Sequence, residues 1–262
     1  VQLDACGAVS IVAADVDGGS TDNCAVASLS IDNDTFDCSN VGMNTVTLTV
    51  TDVNGNSSTC TANVTVEDNI APMAVCQDVT VQLDANGAGS ITAADVDGGS
   101  SDNCAIDMIS VTPSTFDCSD IGANTVTLTV TDVNGNSDTC TATATVEDNI
   151  APVANCQDIT IYLDQNGLAF ATTADIDGGS SDNCGVASVT SNISPAYGCG
   201  NVGDNPVVLT VTDVNGNVDT CTAIVTVEDT IAPTVVCQEV TITLDSRGKV
   251  KIIAREKRGK SI

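Results

Sequence analysis

The stretch "TVTLTVTDVNGNSDTCTATATVEDNIAP", residues 125–152, decides how this chain folds. Its first half alternates apolar and polar residues. Val126, Leu128 and Val130 fall on one face of an extended segment, as a half-buried strand requires. "DVNGN" at 132–136 predicts a tight hairpin, because Asn-Gly accepts the positive φ of a type I′ turn. "SDTCTATATV" at 137–146 is the returning strand, and "VEDNIAP" at 146–152 is an acidic hinge ending in proline.

The same text recurs on both sides. "VEDNIAP" also stands at 66–72 and, as "VEDTIAP", at 227–233, so that Glu67, Glu147 and Glu228 are 80 and then 81 residues apart. "DVDGGSTDNC" at 15–24 returns as "DVDGGSSDNC" at 95–104 and as "DIDGGSSDNC" at 175–184. So strict a period means one folded unit copied in tandem. In the cleanest copy, 72–151, "VCQDVTVQL" reads as a strand, "DANG" as its turn and "AGSITAA" as the return. The acidic loop and the strand "AIDMISV" follow. Five to seven short strands with no helical period predict an all-β chain of immunoglobulin-like sandwiches. The expected limits are 1–71 (a repeat lacking its first strand), 72–151, 152–232, and 233–262 (an orphan first strand with a basic tail).

Composition narrows the chemistry. With three Phe, two Tyr and no Trp, the cores fall to Val, Ile, Ala and Thr, which suit strands. Thirteen cysteines supply staples to these small units, four in each full copy. There is no histidine and no C-x-x-C, which leaves zinc little to bind. Regular cysteines in weakly cored units imply disulfides and an extracellular or cell-surface setting. The chain shows neither an apolar run of membrane-spanning length nor a signal peptide. Net charge is −28, and all seven Lys and Arg lie from Arg247 onward. The repeats therefore hold carboxylates with no basic side chain among them. They repel nucleic acid, and they either form a solvated acidic surface or gather metal cations.

The opening "CQDVTV", the acidic loop ending in "DNC" and "NTVTLTVTDVNGNSDTCTATATVED" resemble the hyalin repeat. This is an immunoglobulin-like module of extracellular proteins and of tandem arrays on bacterial surfaces. The resemblance runs to about Leu244 and implies adhesion or scaffolding, with no catalytic residue to carry over. No histidine and no unique acidic pair outside the repeating loops point to an enzyme.

Cysteine pairing is partly decidable. Cys104 and Cys118 flank one strand 14 residues apart, and a bridge closing so short a loop contributes roughly 3 kcal/mol. That favours Cys104–Cys118 with Cys76–Cys140, repeated as Cys184–Cys199 and Cys156–Cys221, with Cys24–Cys38 in the first unit. The pattern 76–104 with 118–140 stays open.

Topology brings the acids together. The acidic loop, the "DVNGN" hairpin and the hinge from the preceding unit should meet at one end of each sandwich. Glu67 and Asp68 are expected to face Asp95, Asp97, Asp102, Asp132 and Asn134. Glu147 and Asp148 are expected to face Asp175, Asp177, Asp182, Asp213 and Asn215. Such crowding is repulsive unless neutralised, and Ca²⁺, with six to eight oxygen ligands, suits it. The arrangement also resembles the cadherin junction, where an acidic linker meets a D-x-D loop and calcium stiffens the rod. The function expected is a calcium-stiffened, disulfide-stapled rod or filament. The alternative is an adhesin whose repeats present a glycan- or protein-binding site, with Tyr162 and Tyr197 the features that break the repeat.

The ends complete the expectations. Val1 aligns with Val81, so Cys60 has no Cys76-like partner, while "CQEVTITL" at 237–244 is a first strand with no sandwich behind it. Head-to-tail self-association follows. Residues 237–244 would add to the first unit of the next chain, Cys237 would bridge to Cys60, and Glu228 and Asp229 would meet Asp15, Asp17, Asp22 and Asp52. The basic tail would lie on the neighbour's acidic surface, and Cys6 would stay unpaired.

Overall fold

The computed structural model describes residues 1–239, 241–244 and 246–250. It is almost wholly β, in three successive sandwiches. In the second, Val79–Gln82, Ser137–Glu147, Gly122–Asp132 and Ile106–Thr112 lie side by side in that order. Val79–Gln82 runs parallel to its neighbour and the others pair antiparallel, with Leu128 opposite Cys140. A two-stranded sheet, Ala88–Ser90 with Thr115–Asp117, covers the other face. The third unit repeats this with Ile159–Tyr162, Val186–Ser191, Gly203–Asp213 and Val218–Glu228. Among the described residues no helix is long and apolar enough to cross a membrane.

The alternation read from sequence sets the core. Val126, Leu128 and Val130 are fully buried, as are Val96 and Ala144. Each aliphatic side chain buried in this way stabilises by about 1.5–3 kcal/mol relative to exposure. Each unit also buries one aromatic at the same position, Phe36, Phe116 or Tyr197, beside the two-stranded sheet. Tyr197 is thus a core residue, and Tyr162 is the exposed one.

Three local expectations change. Val133 and Asn134 do not take positive φ, and only Gly135 does, at 94°. The hairpin is therefore a type I turn closed by a glycine bulge, with Gly135 N–H donating to Asp132 O and Asp132 N–H to Asn136 O. The Asp132 carboxylate, accepting from the N–H groups of Asn134 and Asn136, holds that geometry. The return strand "AGSITAA" stops at Ser90 and becomes a short helix, Ala93–Val96. Third, the first unit keeps the end of its first strand. Gln2 bridges Glu67 in parallel, and Leu3, 4% exposed, fills the place of Leu83.

The disulfides correct the sequence reading most. Cys76–Cys140 and Cys156–Cys221 form within units as expected, with Cα–Cα distances of 5.8 Å. The others cross between units: Cys38 pairs with Cys104 and Cys118 with Cys184. The expected pairs 24–38, 104–118 and 184–199 do not form, because two cysteines flanking one strand sit at its opposite ends. Ile106–Thr112 alone spans roughly 23 Å at about 3.3 Å per residue, and a disulfide tolerates a Cα separation of only about 7 Å. Cys6, Cys24, Cys60, Cys199 and Cys237 are free and exposed.

Candidate functional site

Each sandwich has a leading pole, which meets the hinge of the unit before it, and a trailing pole, which meets the unit after it. At the leading pole of the second unit three carboxylates converge. One oxygen each from Asp68, Asp102 and Asp132 lies within 4.8 Å of the others, and Asp148, Asp182 and Asp213 repeat the cluster at the next junction.

Each carboxylate is placed by its own backbone. Asp132 closes the hairpin: Oδ1 accepts from the N–H groups of Asn134 and Asn136, at 2.9 and 2.7 Å, and Oδ2 from Asn136 Nδ2 at 2.7 Å. Asp102 closes the acidic loop, Oδ2 accepting from the N–H groups of Cys104 and Ala105, at 2.8 and 3.0 Å. Asp68 arrives with the hinge. It accepts from Asn134 Nδ2 at 2.8 Å and from Asn103 Nδ2 at 3.2 Å, while Asn136 Nδ2 donates to the Asp68 carbonyl at 3.1 Å. The asparagines of "DNC" and "DVNGN" thus tie the hinge to the next sandwich. Asp68, Asp132, Asp148 and Asp213 are each 5% exposed or less. Burial pushes the Asp213 carboxyl up, but hydrogen bonds from Asn217, Asn215 and Gly216 outweigh it and hold the group below its ordinary range.

The cluster is smaller than the sequence suggested. Glu67 and Glu147 point outward, to Gln2 Nε2 at 2.6 Å and Gln82 Nε2 at 2.7 Å. Asp95 and Asp175 cap the short helices by accepting from Thr92 and Thr172. Asp97 and Asp177 accept from Ser100 and Ser180, and those bonds hold their carboxyls below the usual range. Asn134 and Asn215 lie beside the clusters, with Asn134 already donating to Asp68. In the first unit Asp15 caps a turn at Val12 and Asp17 accepts from Ser20. Asp22 and Asp52 keep the same local bonds as Asp102 and Asp132. Glu228 and Asp229 meet no following unit among the described residues. The asparagine contribution of Asn103 and Asn183 escaped the sequence reading, although "DN" precedes a cysteine in every copy.

The donor set can be tested for a cation. All its donors are oxygens, with no Lys or Arg nearby in sequence to neutralise them. Among the described residues, five side-chain oxygens are buried without a hydrogen-bond partner: Asp102 Oδ1, Asn103 Oδ1, Asp148 Oδ2, Asp182 Oδ1 and Asn183 Oδ1. Orphaned buried acceptors beside clustered carboxylates fit a hard, oxygen-loving ion.

The junction is also covalent. Cys38 and Cys118, at the trailing poles, reach Cys104 and Cys184 of the unit that follows. A Cβ on Gly7, at φ 72°, would meet Cys38 Sγ at 2.6 Å and Asn103 O at 2.7 Å. Gly87 stands likewise against Cys118 and Asn183.

No family model and no curated protein matches the chain, so the hyalin-repeat resemblance rests on the quoted motifs. Among solved structures it is similar to protocadherin gammaB7 EC3-6, at 19% identity over 75% of this chain, with a TM-score of 0.29. It is also similar to Drosophila N-cadherin EC1-4, at 11% identity over 75% of this chain and 59% of that one, with a TM-score of 0.35. A third is the human desmocollin-1 ectodomain, at 14% identity over 75% and 50% of the two chains, with a TM-score of 0.25. The chain spans 60% of the length of the protocadherin chain it matches. At such scores the all-β fold stands on this chain's own sheets.

Proposed function

We propose that the chain is an extracellular structural protein, a rod whose junctions are locked by disulfides and stiffened by calcium. One observation carries the reading. The same junction both bridges neighbouring units, through Cys38–Cys104 and Cys118–Cys184, and gathers three carboxylates, two of them buried, beside unpartnered oxygens. Asp68, Asp102 and Asp132 would hold one ion, and Asp148, Asp182 and Asp213 another. The ion would supply positive charge where the protein offers none, and would fix the hinge against the sandwich it enters. The disulfides support an oxidising, extracellular or cell-surface location. Copies of the chain would associate with one another head to tail.

The test is calorimetric titration of the metal-free protein with Ca²⁺, paired with small-angle scattering. Two binding events and a narrower distribution of lengths in calcium are expected. No heat at millimolar Ca²⁺ would sink the cation.

A second reading, an adhesin presenting a glycan- or protein-binding site, is favoured by the third unit alone. There Tyr162 and Phe170 are 58% and 65% exposed where the second unit has Gln82 and Ser90. A glycan array that binds the chain, and loses binding with Tyr162→Ala, would choose it.

A further inference from the structure

We infer that the bridge and the cation site of each internal junction form one coupled device: the disulfide tightens calcium binding, and bound calcium shields the disulfide from reduction. The inference deepens the calcium-stiffened rod and rests on that reading. Three consecutive residues carry both parts. Asp102 is a cluster carboxylate, Asn103 ties the hinge, and Cys104 takes the bridge from the preceding unit. Asp182, Asn183 and Cys184 repeat them at the next junction.

The asparagine links the two. Its carbonyl oxygen in Asn103 lies 3.6 Å from Cys38 Sγ, so the incoming sulfur rests on the backbone of a residue whose side chain serves the cluster. Asn103 Nδ2 donates to Asp68 Oδ1 at 3.2 Å and stands 3.6 Å from Cys104 Sγ, while Oδ1 is buried with no partner. Asp102 Oδ2 accepts from the Cys104 N–H at 2.8 Å, and its Oδ1 is also buried with no partner. At the second junction the Asn183 carbonyl oxygen lies 3.5 Å from Cys118 Sγ, and Asn183 Nδ2 donates to Asp148 Oδ1 at 3.2 Å. There Asp148, only 5% exposed, leaves Oδ2 without a partner, as Asp182 and Asn183 leave Oδ1.

The coupling follows from the charges. Three carboxylates with oxygens within 4.8 Å of one another, and no basic side chain before Arg247, repel. Without an ion that repulsion pushes the hinge off the pole. The bridge opposes it, because it clamps the preceding unit against residues 102–104. The oxygens are then gathered before the ion arrives, and such preorganisation raises affinity. By reciprocity, the ion favours the closed bridge by the same factor. The in-unit bridge 76–140 has no such part. Each of its cysteines stands eight residues from the nearest cluster acid, and Cys76 pairs with Asp97, which lies outside the cluster.

The test compares the oxidised wild type with Cys118→Ser/Cys184→Ser, which removes one junction's bridge and keeps 38–104 and both in-unit bridges. Calorimetric titration with Ca²⁺ should give two similar events in the wild type. In the variant one event should weaken about tenfold, within the 5–150-fold range of couplings between sites, and the other should stay. The converse is read on the wild type alone, by equilibration with dithiothreitol, alkylation, and mass spectrometry of the Cys118 and Cys184 peptides. One thiolate of the reagent attacks a bridge sulfur and its second closes the reagent into a cyclic disulfide, so the bridge becomes two thiols. Saturating Ca²⁺ should raise, by a matching factor, the ratio of reduced to oxidised reagent at which 118–184 opens, and should move 76–140 less. Asn183→Ala, with the bridge intact, should lose that protection. Equal binding in wild type and variant, or a 118–184 bridge that opens alike in calcium and in chelator, overturns the coupling and leaves the cation reading standing. A wild type that gives no calcium heat defeats both.

Discussion

Asp52 and Asp132 occupy one position in one hairpin, and both accept from the two asparagine N–H groups that follow. Yet Asp132 is 1% exposed, while Asp52 is only half-buried. Cys24 and Cys60 are likewise open where Cys104 and Cys140 are bridged. The core follows suit, with Val50 half-buried where Val130 is sealed. Local sequence thus shapes each turn, and the preceding unit's hinge converts it into a buried site. The site belongs to the interface.

The largest effect should come from the in-unit staple. Cys140→Ser with Cys76→Ser removes a bridge across 64 residues and should cost the second unit about 4 kcal/mol in the chain-entropy model. Cys60→Ser in the first unit should cost nothing measurable, because Cys60 is unpaired. Chemical denaturation followed unit by unit reads both, and equal losses would break the comparison.

Next comes charge. In Asp102→Asn the oxygen that accepts from Cys104 and Ala105 is kept while one member of the cluster is neutralised. In calcium the substitution should lower stability by roughly 2 kcal/mol, the scale of a lost buried polar interaction. In chelator it should be neutral or stabilising, since like charges separate. Asp22→Asn, at the open pole, should show no such change of sign in thermal melts.

A smaller difference is steric. Gly87→Ala forces a side chain to φ 71° and into Cys118 Sγ at 2.6 Å and Asn183 O at 3.0 Å. Gly167→Ala meets only Cys199 Sγ, at 3.0 Å. Both should lose about 1 kcal/mol from the left-handed backbone, and Gly87→Ala more from the packed junction.

The smallest concerns acid. Hydrogen bonds hold Asp84, Asp117 and Asp164 below the ordinary 3.8. A carboxyl depressed in the folded state adds stability above its unfolded value, and that stability is lost as pH falls through the folded one. Melting in chelator should therefore be level from pH 7 to about 5 and fall below about pH 4. Asp17 and Asp97, each accepting from the serine three residues on, should titrate alike.

The strands were legible because alternation and hairpin chemistry are local: Val126, Leu128 and Val130 announce their face within one segment. Asp68, Asp102, Asp132 and Asn134 were legible as a group because topology brings three loops to one pole. Glu67 and Asp97 were misplaced since D-x-D and E-D spacing does not say which carboxylate turns inward. The backbone donors and caps of the fold decide that. The 38–104 bridge was hidden by the habit of pairing cysteines within a unit, although the length of one strand already forbade 104–118.

The inter-unit bridges also decide how the chain would answer a pull on its two ends. Tension entering at Cys38 crosses to Cys104, runs along the backbone to Cys118 and crosses again to Cys184. Residues 39–103 and 119–183 hang off that path as loops and bear no load. The extensible backbone of the second unit is the stretch from 104 to 118, roughly 50 Å at full extension, against roughly 280 Å for a whole repeat. A tether built this way keeps residues 39–103 and 119–183 out of the load path, and releases their length only when a reductant reaches the bridges.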